Sequence, residues 1–120
     1  MELVPIKEEH YEFVRLLRNS QPGFITLNVN ITHSQQLEYM NKNHRNYHIC
    51  LLYGEPVGFI GVMQDDIRLC THPDAQGKGV GTFMLKEIVK IRPNATGRIL
   101  KDNIASQKAF EKANIPYELI

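Results

Sequence analysis

The sequence has no long apolar run, no block of like charge and only two cysteines, and each shortage removes a class of protein. Its uninterrupted apolar stretches are a few residues long, far short of the ~20 that a membrane-spanning helix requires. The 14 basic and 13 acidic residues are interspersed, and no basic stripe with interleaved aromatics offers a nucleic-acid footprint. The opening MELVPIKEEHYEF lacks a basic segment followed by an apolar one, so it does not read as a signal peptide. Cys50 and Cys70 fall inside apolar, strand-like runs and read as reduced core residues of a cytoplasmic protein. Five scattered histidines have no Cys or Glu at a ligand spacing, so no metal is expected.

What is present suits one soluble globular unit. Apolar residues make up 42% and charged residues 22%, which is enough for a core and unlike a disordered chain. With 120 residues and no internal repeat or linker, a single domain spanning 1–120 is expected.

Periodicity gives the order of elements. Glu2 to Ile6 suits a first strand, and Phe13, Leu16 and Leu17 recur at helical spacing between about Glu8 and Asn19 until Pro22-Gly23. The stretch from Phe24 to Ile31 is ambiguous. Thr32-His-Ser-Gln35 has the form of a capping box, and Leu37 and Met40 predict a thin apolar face on a second helix. Tyr47–Tyr53, Val57–Met63 and Ile67–His72 predict an antiparallel meander, with turns at Gly54-Glu55-Pro56 and Gln64-Asp65-Asp66. A glycine-rich loop then leads into a helix from about Gly79 to Ile91, with Val80, Phe83, Met84, Ile88 and Ile91 on one face. A strand near Arg98–Leu100, a helix capped by Asn103 and ended at Asn114, and a strand from Pro116 to Ile120 complete the chain. The fold class is α+β: an antiparallel meander, then a β-α-β unit whose two strands run parallel if they share a sheet.

Chemistry concentrates in Gln76-Gly-Lys-Gly-Val-Gly81-Thr82. Glycines at 77, 79 and 81 strip side chains from the backbone where a strand hands over to a helix. Exposed N–H groups and the positive end of the helix dipole then favour an anion, a diphosphate in particular. The plainer alternative is a flexible solvent loop. A nucleoside-triphosphate loop is excluded because Lys78 is followed by Gly79, and the dinucleotide fingerprint because the spacing is Gly-x-Gly-x-Gly.

THPDAQGKGVGTFML resembles the cofactor motif of the GNAT superfamily of N-acetyltransferases, with Gln76, Gly79 and Gly81 at its three fixed positions. NIASQKAFEKANI resembles the second motif of that family through Asn103, Ser106, Ala109 and Lys112. The resemblance implies a GNAT-like mixed central sheet with helices on both faces. It implies acetyl-CoA as cosubstrate and transfer of an acyl group to a primary amine, on a small molecule or peptide, by direct attack in a ternary complex.

By that resemblance, Gly77, Lys78, Gly79, Val80, Gly81 and Thr82 surround the pyrophosphate beside Gln76, chiefly through backbone amides. Leu69, Cys70 and Thr71 form the strand that pairs with pantetheine, and an amide near Leu69 or Cys70 polarises the thioester. Asn103 and Ser106 match positions near the thiol end. Phe110 takes the place of the tyrosine that often protonates the departing thiolate, and it has no proton to give. Asp65 matches a position where some relatives carry a glutamate base, although Gln64-Asp65-Asp66 is equally good turn chemistry. Asp66, His72 and a relay through water are alternatives for the base, and Tyr117 for the acid. Most relatives continue past the position of Ile120 through a strand that walls the acceptor site. Two further expectations are a homodimer covering the Pro116–Ile120 edge and, as the competing function, a non-catalytic CoA-binding module.

Overall fold

The computed structural model describes residues 1–20 and 30–120. Most of the ambiguous stretch from Phe24 to Ile31, and the stop at Pro22-Gly23, therefore lie outside the described residues.

Four strands form an antiparallel sheet in chain order: β1 (Glu2–Pro5), β2 (Tyr47–Leu52), β3 (Glu55–Met63) and β4 (Asp66–Thr71). The hairpins are tighter than the sequence suggests. Tyr53 and Gly54 (φ +51° and +79°) join β2 to β3, and Gln64 and Asp65 (+52° and +66°) join β3 to β4. Two consecutive left-handed residues match the right-handed twist of the flanking strands. Glu55, Pro56 and Asp66 consequently belong to strands. Pro56 is accommodated where the register shifts between Cys50 and Leu51, a place where a ladder N–H is not needed.

Alternation along these strands feeds two cores. Cys50, Ile60, Val62 and Ile67 face α3 (Val80–Ile91) and α4 (Ile104–Lys112). Ile49, Phe59, Cys70 and Tyr47 face α1 (Tyr11–Ser20) and α2 (His33–Asn43). Helices thus cover both faces of the sheet. The two cysteines are buried, free and on opposite faces.

Two expected helix faces are corrected by packing. On α2, Gln36 and Met40 are buried while Leu37 is exposed; the Gln36 amide donates to the Tyr11 carbonyl at 3.1 Å, which satisfies its burial. On α3, Leu85 joins Val80, Met84 and Ile88 in the core, whereas Ile91 in the last turn is exposed. The capping box at Thr32 forms as expected, with Gln35 N–H on Thr32 Oγ1 at 3.1 Å and Gln35 Oε1 accepting from Thr32 N–H at 2.9 Å.

β5 (Gly97–Ile99) and β6 (Tyr117–Leu119) make a separate parallel pair. α4 connects them and ends in the left-handed Asn114 (φ +57°). Ile115 N–H then reaches the Phe110 carbonyl at 3.0 Å and Asn114 N–H that of Glu111 at 3.1 Å, the double closure of a helix C-terminus. Among the described residues β4 meets the chain just before β5 at one isolated parallel bridge, Asp66 with Thr96. No helix among the described residues is long and apolar enough to cross a membrane.

Candidate active site

The site begins with that single bridge. Ile67 N–H donates to the Thr96 carbonyl at 2.9 Å, and Thr96 N–H donates to the Asp65 carbonyl at 2.8 Å. Beyond Ile67 the two strands diverge, since β4 continues to Thr71 with only β3 beside it. The phase of the ladder decides which groups are exposed. His72 N–H bonds back to Val57, so Cys70 and Arg68 point their amides inward to β3, and Ile67, Leu69 and Thr71 point theirs outward. Ile67 spends its outward amide on Thr96. Leu69 and Thr71 direct theirs into the gap.

The gap is a cleft of about 530 Å³. One wall is Leu69, Cys70 and Thr71; the floor is Gln76, Gly77, Gly79, Val80, Gly81 and Thr82; the far wall is Asn103 and Ser106 with Ala105, Lys108, Ala109 and Lys112. The glycines are placed for conformation. Gly77 (φ +81°) and Gly79 (φ +80°) hold the left-handed backbone that turns the chain from β4 into α3. Gly79 is the N-terminal cap of α3 and supplies no side-chain acceptor. Helix geometry leaves the N–H groups of Val80, Gly81 and Thr82 without intrahelical partners, at the positive end of the dipole. A diphosphate fits this cradle in shape and in charge.

Most cofactor positions expected from the sequence are thus brought to one cleft. Two are not. Lys78 is exposed and does not line it. Phe110 is buried beneath β5, where a Cβ on Gly97 would overlap its ring, and it packs edge-on against Tyr117. Lys108 was not singled out from the sequence, and Lys112 was named there as a motif residue without its charge being placed near the loop. Their spacing of four from each other, like that of Ala105 and Ala109, is the signal that puts them on one face of α4.

Asp65 is not brought to the cleft. It lies four residues before Leu69, about 13 Å along an extended strand. Its side chain is exposed and 3.7 Å from Arg92, and its left-handed backbone closes the hairpin. His72 accepts the Asp74 N–H on Nδ1 at 3.1 Å and stacks on Phe13. Tyr117 donates its hydroxyl to Glu111 at 2.7 Å, a bond that raises its pKa. Burial pushes the Cys50 thiol up to about 11 and the Cys70 thiol up to about 12, so neither is a thiolate nucleophile near neutrality. Asn103 Oδ1 accepts the Ser106 N–H at 3.1 Å and so caps α4 at the cleft's edge.

The family model for the acetyltransferase (GNAT) domain matches residues 43–118, more than half of the chain and all of the cleft. The chain belongs to the GNAT acetyltransferase family. A search of curated proteins returned no match. Among solved structures, the ribosomal-protein-alanine N-acetyltransferase of Brucella melitensis superposes with a TM-score of 0.80 at 13% identity, covering 92% of this chain and 82% of that one. An N-acetyltransferase of Staphylococcus aureus Mu50 gives 0.79 at 19% identity, with 94% and 81% covered. A GNAT phosphinothricin acetyltransferase of Sinorhizobium meliloti, solved with acetyl-CoA, gives 0.63 at 16% identity over 75% of this chain and 58% of that one. At these identities the likeness is one of fold.

Proposed function

We propose that this chain, as one domain spanning 1–120, transfers an acetyl group from acetyl-CoA to a primary amine by direct attack in a ternary complex. The observation that carries this is the parting of β4 from β5 after Ile67, directly beside the glycine-lined N-terminus of α3. Membership in an acetyltransferase family supports the same reading.

Acetyl-CoA supplies the acetyl group as a thioester. The amides of Val80, Gly81 and Thr82 hold the pyrophosphate, with Gly77 and Gly79 shaping the turn and Gln76 and the Thr82 hydroxyl beside it. Lys108 and Lys112 add positive charge from α4. The outward amide of Leu69 is the donor for the thioester oxygen, where negative charge grows as the amine attacks; a preorganised donor there is worth about 2.7–4 kcal/mol in other acyl-transfer enzymes. Cys70 contributes backbone to the wall and its amide is spent on β3, so it is not that donor. Asn103 and Ser106 border the pantetheine end.

The amine attacks the thioester carbon, the carbon–sulfur bond breaks, and the sulfur leaves as thiolate. A thiol of pKa ~8.5 leaves without a dedicated acid, which suits the absence of a hydroxyl at Phe110. We assign the amine's proton to water in the open cleft and Asp65 to the hairpin turn. The two buried free thiols support a cytoplasmic setting. The outer edge of β6 supports a homodimer, which light scattering at tens of micromolar tests; a monomer there removes that part.

The deciding experiment is release of CoA thiol from acetyl-CoA, followed over a panel of primary amines, beside calorimetric acetyl-CoA binding. Binding with amine-dependent release is expected. Tight binding without release on any amine would favour the CoA-binding module, and no binding by a folded sample would refute both.

A further inference from the structure

A second cavity, of about 470 Å³, lies on the opposite face of β4 from the cleft. Its apolar floor is Val14, Met40 and Phe59, all buried. Its polar lining is unusual. Arg18 from α1 and Arg68 from β4 both enter it, together with Tyr39 and Tyr47, whose hydroxyls share a hydrogen bond of 2.7 Å. Lys42 and Glu38 stand on the α2 rim, so the cationic side chains of the lining outnumber the anionic one.

Arg68 is only partly matched by the protein: the Tyr47 hydroxyl interacts with its guanidinium, but its Nε is left over. Its Nε is buried and makes no hydrogen bond. The Asp66 carboxylate is 4.0 Å from that nitrogen, beyond hydrogen-bond reach, and also pairs with Arg98 at 3.5 Å. Arg18 is near enough to sense the charge of Arg68, which adds to burial in lowering its pKa. Arg18 and Arg68 thus bring two positive charges to one partly buried space, where an anion is attracted by both. Tyr47 is held in place beside them. Gly61 lies under its ring, where a Cβ would overlap it, and burial together with the Tyr39 bond keeps its hydroxyl protonated.

The cavity and the cleft meet across one strand. Arg68 lines the cavity and Leu69, the next residue, lines the cleft. Consecutive Cα atoms are ~3.8 Å apart, and β5 has already diverged, so the edge of β4 is open between the two spaces. A molecule held by the Arg68 side chain lies on the face of β4 opposite the cleft, and the open strand edge lets its other end reach toward the outward Leu69 amide.

We propose that this cavity receives the acceptor, and that the acceptor is an amine carrying a carboxylate or phosphate held by Arg68 with Arg18 opposite. A guanidinium presents a planar fork that pairs with either anion at two points, and a buried donor without a partner gains most from one. Tyr39 and Tyr47 share one hydrogen bond, so one O–H of the pair is left as a neutral donor at the same wall. The inference names the acceptor class for the transfer proposed above and rests on it for turnover, though not for anion binding.

Two measurements test it. In the first, kcat/KM is compared for matched amines: phenylalanine against phenethylamine, and glucosamine 6-phosphate against glucosamine. The anionic member is expected to win by about 10- to 100-fold, the scale of one charged hydrogen-bonded contact. The pair that shows the preference separates a carboxylate from a phosphate. Arg68→Gln should abolish the preference, Arg68→Lys should restore part of it, and acetyl-CoA affinity should stay unchanged in both. In the second, the arginine Nε signals of wild-type protein saturated with CoA are followed by ¹⁵N NMR during titration with acetate and with inorganic phosphate. A saturable displacement of the Arg68 signal is expected with one of them. Neutral amines used as well as anionic ones would overturn the proposal. So would the lack of any saturable displacement at about 50 mM anion, well above a ~1 mM dissociation constant. If no amine in the panel is turned over, the NMR titration alone decides. Failure of acetyl-CoA to bind would instead remove the transferase reading.

Discussion

Ile67 donates its backbone N–H to the Thr96 carbonyl at 2.9 Å, and that contact marks where the cleft beside α3 starts. It aligns β4 with β5 for one residue pair and no further. The separation afterwards has visible supports. Phe110 wedges over Gly97 at the start of β5, and α4 stands off from β4 across the cleft on the small side chains of Ala105 and Ala109. The cleft geometry therefore depends in part on Phe110 and Gly97, which do not line it.

Gly97 and Gly81 should respond in opposite ways to the same substitution. A Cβ at Gly97 overlaps the buried Phe110 ring, so Gly97→Ala should cost about 1–3 kcal/mol in urea unfolding. A Cβ at Gly81 would sit 3.8–3.9 Å from Leu69, Ala109 and Thr71, ordinary contact distances. Gly81→Ala should leave stability unchanged or raise it by up to ~1 kcal/mol while weakening acetyl-CoA, because the methyl group narrows the cleft. Equal destabilisation by the two would contradict this packing.

Asp65→Asn should be nearly silent. Asparagine tolerates the left-handed turn, and the exposed pair with Arg92 at 3.7 Å contributes little. The expected change is under ~0.5 kcal/mol in stability, with kcat/KM on an accepted amine within about twofold. A loss near 10²-fold at unchanged acetyl-CoA affinity would instead make Asp65 the general base.

Alkaline pH should destabilise the fold through its two thiols. Their folded pKa values are raised from the ordinary 9.0 to about 11 for Cys50 and about 12 for Cys70, chiefly by burial. The unfolded chain ionises first, so the contribution is full below pH 9 and is lost as pH rises from 9 through 11 and 12. Cys50→Ala/Cys70→Ala should flatten the fall of the urea midpoint over that window. An unchanged slope would mean that other groups dominate.

The glycine-lined cleft was legible because its backbone requirement is local. Positive φ at Gly77 and Gly79 and a capless helix start write themselves into consecutive residues, and Asn103 caps its own helix. What the sequence did not show depends on partners far along the chain. Gln36 is buried because the Tyr11 carbonyl lies above it, and Leu37 consequently faces outward. Asp65 has the composition of a turn and of a base alike; the ladder phase and the Thr96 contact place it at the end of β4 away from the glycine-rich loop. The pairing of Arg18 with Arg68 joins residues fifty apart and has no motif.

The central claim is that backbone amides at the start of α3, not side-chain charge, hold the diphosphate. Calorimetric titration of acetyl-CoA into folded Gly79→Glu, Gly79→Asn and Lys78→Ala tests it most directly. Gly79 sits at φ +80° with open space around it, so asparagine should be tolerated there with modest loss, whereas glutamate adds negative charge beside the free N–H groups. Lys78 is exposed, and its charge is screened over ~8 Å at physiological salt. The account predicts that Gly79→Glu removes most of the affinity, while Gly79→Asn and Lys78→Ala retain most of it. Near-normal binding by Gly79→Glu together with loss in Lys78→Ala would contradict it.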